Sequence, residues 1–230
     1  MPPTADARSL LATIDHTALA ADTTSADVDR LCDEALAHGF AGVCIATGWL
    51  DRVHDRLGDS TLKRIVVVGF PLGAAASSAK AFEAADAVSR GADEIDMVIP
   101  VGRAREGDWA RVEADIRAVV EAAGGRPVKA ILETAHLDDA AIVEAARRAE
   151  EAGAAFVKTS SGFGRGGATV EAVRLLRRTV GPELGVKASG GIRTLEAAAA
   201  MLEAGATRLG TSSGVAIAEA LARAAEPREG

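Results

Sequence analysis

The chain has 230 residues, of which 48% are hydrophobic and 26% charged, and its formal net charge is −7. The composition is that of a globular protein, and the length fits one barrel-sized domain of roughly 200–250 residues. The acidic balance argues against a nucleic-acid partner. No apolar run approaches the ~20 residues of a membrane span, and residues 1–6 lack a signal-peptide pattern. We therefore expect a cytoplasmic protein with no membrane partner.

Strand-like apolar runs alternate with amphipathic helical patterns along the whole chain. The predicted strands are residues 13–16, 42–46, 63–70, 94–99, 128–133, 155–160, 185–189 and 207–210. The predicted helices are residues 26–37, 50–57, 79–89, 109–122, 139–151, 170–179, 195–203 and 215–224, and a short additional helix is expected at residues 6–12. Eight consecutive βα units predict a parallel sheet that closes into a barrel. The predicted fold is α/β, a (β/α)8 TIM barrel, with residues 1–230 as a single domain.

Four glycines precede the even-numbered strands at nearly regular spacing. Gly39, Gly91, Gly153 and Gly205 are 52, 62 and 52 residues apart, which indicates four related double βα units. Glycine at this position relieves the strain of left-handed backbone at the end of a helix. An open doubly wound sheet is the alternative fold. It usually has a Gly-rich phosphate loop after the first strand, and no such loop follows His16.

Lysine is rare in this chain, which otherwise uses Arg for positive charge. Asn, Gln and Tyr are absent, and Lys occurs only at Lys63, Lys80, Lys129, Lys158 and Lys187. Arg stays protonated, whereas Lys can lose its proton and act as an amine nucleophile. Each retained lysine is therefore a candidate for chemistry.

Two lysines occupy matched positions at the ends of neighbouring strands, where barrel enzymes place their reacting groups. Lys158 lies at the end of predicted strand 6, and Lys187 lies at the equivalent place on strand 7. Strands are ~4.8 Å apart, so the two amines would be close and would not both stay protonated in a buried site. A neutral amine is the requirement for imine chemistry. The alternative is a structural ion pair with Asp96 or Asp15, but the matched positions favour catalysis.

Small residues follow the last two strands. The segments are Ser189-Gly190-Gly191 after strand 7 and residues 210–214, Gly-Thr-Ser-Ser-Gly, after strand 8. Barrel phosphate sites are commonly built from these two loops and a helix N-terminus. Either loop alone is equally typical of an ordinary tight turn, but together they predict a phosphate site.

The histidines and cysteines do not form a metal-ligand pattern. Only His16 and His136 lie near predicted strand ends, without an H-x-x-x-H motif or clustered cysteines. His16 is interpreted as a polar partner of Asp15 that lines the pocket, or as a core histidine. Both cysteines are interpreted as buried packing residues. We expect no metal and no cofactor.

Six segments resemble the deoxyribose-phosphate aldolase family, in the right order along nearly the whole chain. They are residues 14–17, 68–74, 91–98, 156–162, 186–193 and 210–213. The Lys-Thr-Ser and Lys-Ala-Ser-Gly-Gly segments are highly specific. The resemblance implies that Lys158 forms the imine, that Lys187 lowers the pKa of Lys158, and that Asp96 relays protons through water. The family's phosphate pocket maps onto Gly162, Gly190, Gly191, Ser212 and Ser213, and Asp15 is also expected among the substrate-binding residues.

Three positions depart from the family's common pattern. Ser161 replaces a frequent Thr and keeps the hydroxyl, Pro100 follows the strand 4 motif where many members have Asn, and no Tyr is present for a C-terminal proton transfer. Without this phenol, the proton step is expected either to be slower or to be carried by Asp96 and water.

The resemblance implies a class I aldolase that reversibly cleaves 2-deoxy-D-ribose 5-phosphate to acetaldehyde and D-glyceraldehyde 3-phosphate. The expected partners are the sugar phosphate and aldehydes, with self-association into a homo-oligomer, a dimer. Two alternatives remain: another imine-forming aldolase or transaldolase on the same barrel, and a barrel that binds a sugar phosphate without catalysis.

Overall fold

Eight parallel strands form a closed barrel in the computed structural model, which describes residues 9–225. Each strand is hydrogen-bonded to its neighbours in chain order, and the first also pairs with the last. The strands are β1 Ile14–Ala18, β2 Gly42–Ala46, β3 Lys63–Val68, β4 Glu94–Val98, β5 Val128–Ile131, β6 Phe156–Lys158, β7 Gly185–Ser189 and β8 Arg208–Thr211. The predicted TIM barrel is confirmed, and the open-sheet alternative is wrong because β1 and β8 close the sheet.

Helices surround the barrel. They are α1 Ser25–His38, α2 Leu50–Leu57, α3 Ser77–Ser89, α4 Val101–Glu106, α5 Trp109–Ala122, α6 Asp139–Glu151, α7 Val170–Val180, α8 Leu195–Glu203 and α9 Gly214–Ala225. Helix α4 was not predicted, and neither were the 3-10 turns Thr47–Trp49 and Thr134–His136. Residues 9–11 of the expected N-terminal helix are helical, whereas residues 6–8 lie outside the described part. No helix within residues 9–225 is both long and apolar enough to cross a membrane.

Three predicted strands extend two residues too far at the carboxyl end, and the predicted fourth strand extends one residue too far. The backbone becomes left-handed at Gly69 after β3 and at Glu133 after β5, with φ values of +61° and 56°. A residue in this conformation cannot continue an extended strand. Strand β6 ends at Lys158, and Thr159 already belongs to the loop. The residues beyond these points therefore form the loops of the barrel mouth.

The repeated glycines end their helices as expected. Gly39, Gly91, Gly153 and Gly205 have φ values of +66°, +95°, +88° and +107°. A side chain would strain this backbone. The helices pack their apolar faces on the outside of the strands and form the main hydrophobic core.

The barrel interior has two different halves. On one side, Cys44, Ile65 and Val67 from β2 and β3 form a separate apolar cluster, with Leu19 and Phe70 packed against it. The rest of the interior contains charged side chains. An apolar wall of the barrel interior therefore faces the charged side chains.

Candidate active site

Seven ionisable side chains fill the charged half of the barrel. Side chains alternate along a strand, so inward-facing positions two residues apart share the interior. All seven are buried or largely buried: Asp15 on β1, Glu94 and Asp96 on β4, Lys129 on β5, Lys158 on β6, Lys187 on β7 and Arg208 on β8. Burial of this many charges is costly unless they are paired.

Asp96 is in contact with three amines. Its Oδ2 accepts hydrogen bonds from Lys158 Nζ and Lys187 Nζ, both at 2.7 Å, and its Oδ1 accepts one from Lys129 Nζ at 2.7 Å. Lys158 and Lys187 are also register partners on β6 and β7. Since both amines bond to the same oxygen, their nitrogens can be no further apart than twice 2.7 Å. The ion pairs weighed as the structural alternative therefore exist, and they bring the two amines together.

The remaining contacts extend the cluster toward the barrel floor. Lys187 also bonds to Asp15, and Arg208 Nη1 lies 2.8 Å from Asp15 Oδ1 and 3.3 Å from Glu94 Oε2. Lys129 Nζ lies 2.5 Å from the same Glu94 oxygen. Four cationic side chains thus share three carboxylates. One positive charge in excess, in a site shielded from water, disfavours full protonation of the cluster.

The pKa shifts show which groups keep their charge. Burial alone would raise the pKa of Asp96, but Lys129, Lys158 and Lys187 outweigh burial and hold its pKa well below the ordinary value. Burial alone would lower the pKa of Lys187, but Asp15 and Asp96 raise it above the ordinary value. Asp96 is therefore a fixed carboxylate and Lys187 a fixed ammonium.

A cavity of about 950 Å³ opens at the carboxyl ends of the strands. Of the three amines on Asp96, only Lys158 lines it, and the side chain is 3% exposed. Asp96 and Lys187 lie beneath the cavity and are fully buried. Asp15, expected among the substrate-binding residues, is also fully buried and contacts Lys187 and Arg208 below the cavity.

His16 faces away from Asp15. Successive strand residues point to opposite sides of the sheet, so the interpretation of these two as a polar pair is wrong. His16 Nε2 instead lies 2.7 Å from Glu34 Oε2 on α1, although the ring still lines one edge of the cavity.

The five residues expected to bind phosphate all line the cavity: Gly162, Gly190, Gly191, Ser212 and Ser213. The three glycines are left-handed, with φ values of +88°, +88° and +80°. The two serines immediately precede α9, where backbone N–H groups and the helix dipole favour an anion. The loops after β6, β7 and β8 thus form one polar side of the cavity.

Close backbone packing joins the loops after β6 and β7. Ala168 N donates to the carbonyl oxygens of Ser189 and Gly190, both at 3.0 Å. A methyl group at Gly167 would lie 2.1 Å from the carbonyl oxygen of Gly190. Only glycine fits between these loops.

Several site residues were missed from the sequence. Lys129, Glu94 and Arg208 complete the charged cluster, and Arg193 lines the cavity without an ion pair to any described residue. Lysine rarity marked Lys129 as a candidate, and Glu94 shares a strand face with Asp96. Among residues 9–225, no group of three or more His, Cys, Asp or Glu side chains is arranged to hold a metal ion.

Comparison with known proteins agrees with this site. The model of the DeoC/LacD family aldolases matches residues 9–220, and the chain belongs to this family of aldolases. The predicted enzyme class, a carbon–carbon lyase of the aldolase type, is confirmed.

The similar proteins are, more particularly, deoxyribose-phosphate aldolases. The Micrococcus luteus enzyme of that name is 57% identical over 212 residues, covering 89% of this chain and 93% of that protein. The Exiguobacterium sp. enzyme is 54% identical over 205 residues, with the same coverage. The tetrameric deoxyribose phosphate aldolase from Aeropyrum pernix is 32% identical, with a TM-score of 0.88 and coverage of 94% of this chain and 92% of that one. The resemblance found in the sequence is confirmed.

Proposed function

We propose that this aldolase reversibly cleaves 2-deoxy-D-ribose 5-phosphate to acetaldehyde and D-glyceraldehyde 3-phosphate, through an imine on Lys158. The observation that carries the assignment is the position of Lys158. It is the one amine of the three on Asp96 that reaches the cavity, in a cluster with more cations than carboxylates. Because Lys187 is held as an ammonium and Asp96 as a carboxylate, the excess charge is relieved most simply when Lys158 is neutral.

Cleavage then proceeds by attack of the Lys158 amine on the substrate aldehyde carbon, with loss of water to give the imine. The C3 hydroxyl loses its proton, the C2–C3 bond breaks, and its electron pair forms the enamine on Lys158. The three-carbon fragment that begins at C3 leaves as D-glyceraldehyde 3-phosphate. Protonation of C2 and hydrolysis of the imine release acetaldehyde and the amine. Asp96, 2.7 Å from Lys158 Nζ, is placed to pass these protons through water.

The polar side of the cavity supports recognition of the phosphate. Left-handed glycines expose backbone N–H groups, and Ser212 and Ser213 add hydroxyl donors at the start of α9. Arg193 on the same wall adds a cation. We expect the phosphate to bind here, with the aldehyde end of the substrate reaching down to Lys158.

A homo-oligomer, in the simplest case a dimer of single-domain chains, is part of the same proposal. Leu72 and Phe82 are 76% and 74% exposed, which is costly for large apolar side chains in water. The similar Aeropyrum pernix protein is a tetramer. Light scattering coupled to gel filtration gives the mass in solution, and a monomer of 23.4 kDa would reject self-association.

We place the reaction in the cytoplasm because its phosphorylated substrate does not cross membranes.

Borohydride trapping tests the imine directly. The protein is incubated with acetaldehyde and sodium borohydride in EDTA, and the modified peptide is located by mass spectrometry. We expect a two-carbon addition on Lys158 and complete loss of activity. Lys63 is the exposed first residue of β3, so it serves as an internal control for non-specific alkylation. Labelling confined to Lys187, or no labelling, would reject the assignment.

A further inference from the structure

An aromatic pair bridges the mouth of the barrel. The rings of Phe70 and Phe163 meet edge to face, with centroids 5.3 Å apart and an interplanar angle of 84°. Phe70 follows β3, and Phe163 lies on the loop after β6. These strands are not neighbours, since β4 and β5 stand between them in the closed order. The contact therefore crosses the opening of the barrel.

Each ring belongs to a different side of the site. Phe70 packs on Cys44, Ile65 and Val67, the apolar half of the barrel interior. Phe163 follows Gly162 of the proposed phosphate loop and lines the same cavity as Lys158. The pair thus continues the apolar wall upward and across, toward the polar side.

The backbone of Phe163 is held in place although its ring is 55% exposed. Phe163 N donates to Ser161 Oγ at 3.1 Å, and Ser161 N donates to Glu133 Oε2 at 3.2 Å. Glu133 is buried and left-handed, a conformation that is unusual for a residue with a side chain. The loop is therefore anchored immediately before Phe163. A large aromatic ring on a cavity rim, fixed at its base, is suited to cover a bound molecule.

We propose that Phe163, together with Phe70, is the roof of the donor subsite and restricts the access of bulk water to the enamine formed on Lys158, beyond the water through which Asp96 passes protons. This inference rests on the proposed function. The enamine carbon has two fates: it attacks the acceptor aldehyde and forms a carbon–carbon bond, or it takes up a proton, after which water hydrolyses the imine to acetaldehyde and the free amine. The second route needs water at the site. An apolar roof slows that route, so Phe163 decides how the intermediate partitions.

The partition can be measured in D2O. Wild type and variants are given acetaldehyde and D-glyceraldehyde 3-phosphate, and the deuterium in recovered acetaldehyde is divided by the product formed. Phe163→Ala should raise this ratio at least threefold. Phe163→Leu keeps an apolar side chain at the rim and should fall between wild type and Phe163→Ala. Leu36→Ala is the control for loss of an exposed apolar side chain, because Leu36 is 43% exposed on α1 and does not line the cavity.

Two results would overturn the roof. One is a wild-type ratio in Phe163→Ala, and the other is an equal rise in Leu36→Ala. Borohydride trapping of Lys158 in Phe163→Ala keeps this test separate from the proposed function. Trapping that succeeds with an unchanged ratio rejects the roof alone, whereas trapping that fails in the wild type as well rejects the imine mechanism.

Discussion

Three amines share the carboxylate of Asp96, and they differ in how many other carboxylates they contact. Lys187 also contacts Asp15, Lys129 also contacts Glu94, and Lys158 contacts Asp96 alone among the described carboxylates. Lys158 thus has the least electrostatic support for its positive charge. Asp96 and Lys187 each keep their charge, so a cluster of similar groups can separate the nucleophile from the fixed charges around it.

Replacement of Lys187 tests its role as a fixed cation. In Lys187→Leu the neighbouring charge is gone, so Lys158 becomes more important as a counter-ion for Asp96 and should stay protonated to higher pH. We expect kcat/KM at pH 7 to fall at least about 100-fold, with the acidic limb of its pH profile displaced to higher pH. Lys187→Arg keeps a charge that cannot be given up.

The Arg variant separates two functions of Lys187. Partial activity in Lys187→Arg would show an electrostatic neighbour, whereas a loss as deep as in Lys187→Leu would show that its amine also moves a proton. An acidic limb at the wild-type pH in Lys187→Leu would mean that the two amines do not interact, contrary to the proposal.

Lys129 should influence Lys158 through charge alone, since it does not line the cavity. Lys129→Met removes the excess positive charge and leaves Glu94 and Asp96 with one partner fewer, so the acidic limb should again move to higher pH. Unfolding should become easier by about 3–5 kcal/mol, the usual cost of breaking a buried ion pair. Urea denaturation and the kcat/KM profile measure the two effects.

Lys80 provides the matched control for that variant. It is fully buried and pairs with Asp115 at 2.7 Å, between α3 and α5 and outside the charged cluster. Lys80→Met should destabilise the fold by a similar amount and leave the acidic limb unmoved. If the limb moves equally in both variants, the shift reports general loosening of the fold, and Lys129 has no specific influence on the amine.

At the scale of loops and strands, the polar side of the cavity depends on close backbone packing. Gly167→Ala would place a methyl group 2.1 Å from the carbonyl oxygen of Gly190 and force the two loops apart. We expect KM for the phosphorylated substrate to rise about tenfold or more, while unphosphorylated 2-deoxyribose is cleaved at nearly the wild-type rate. Steady-state kinetics on both substrates measures the difference.

Gly102→Ala is the control for a glycine substitution. Gly102 lies in helix α4, and no described atom comes within 4 Å of an added methyl group. This variant should keep wild-type kinetics on both substrates, because alanine favours helix over glycine by about 1 kcal/mol and meets no obstacle. Equal losses on the two substrates in Gly167→Ala would show that the loops do not serve the phosphate in particular.

The pattern of alternating elements was enough to predict the barrel, but the loops were not predictable in the same way. Periodicity of apolar residues marks elements that bury one face, and eight such units close in only one simple manner. Helix α4 is six residues long and holds one buried residue, Ala104, so its pattern is too short to recognise. Glu133 continues an apolar run in the sequence, yet its backbone is left-handed and its carboxylate accepts a hydrogen bond from the loop after β6.

The site was partly predictable for the same reason. Strand alternation and chain order are sufficient to place Lys158 and Lys187 side by side, and the register of β6 and β7 confirms their pairing. The contacts of Asp96 with Lys187 and of Glu94 with Arg208 cross the barrel interior, because at least two strands separate β4 from β7 and from β8. Distances across a barrel are set by the closure of the whole sheet, which local patterns do not contain.

At the scale of the whole molecule, the buried cluster connects catalysis to stability. Its carboxylates, its lysines and Arg208 are distributed over six of the eight strands, so a change of charge at one member is felt across the barrel. Exposed pairs such as Arg52 with Asp29 and Arg56 with Asp33 join α1 to α2 on the surface. Surface pairs of this type contribute about 0–1 kcal/mol each and are screened by salt. The charges of the buried cluster are screened by salt much less.

Stability should therefore fall in acid through the buried carboxylates. Three lysines hold the pKa of Asp96 well below its ordinary value, and Lys187 leads the groups that lower the pKa of Asp15 against the effect of burial. Their stabilisation is fully present above the unfolded pKa of about 3.9, and it is lost as the pH falls through the lower folded values. Two such groups give a slope of up to about 2.7 kcal/mol per pH unit, since one proton is worth about 1.36 kcal/mol per unit. The contribution of Lys187 to stability has the opposite pH dependence. Its raised pKa stabilises the fold below a pH of about 10.4, and this stabilisation is lost only as the pH rises through the folded pKa.

The free energy of unfolding, measured by urea denaturation in 1 M NaCl, should be nearly constant from pH 5 to pH 9 and decline steeply below about pH 4. Asp96→Asn should be less stable than the wild type near neutral pH, and its acid slope should be shallower because one titrating group is gone. An acid decline that disappears in 1 M NaCl, or a slope unchanged in Asp96→Asn, would assign the acid sensitivity to the surface pairs and not to the barrel interior.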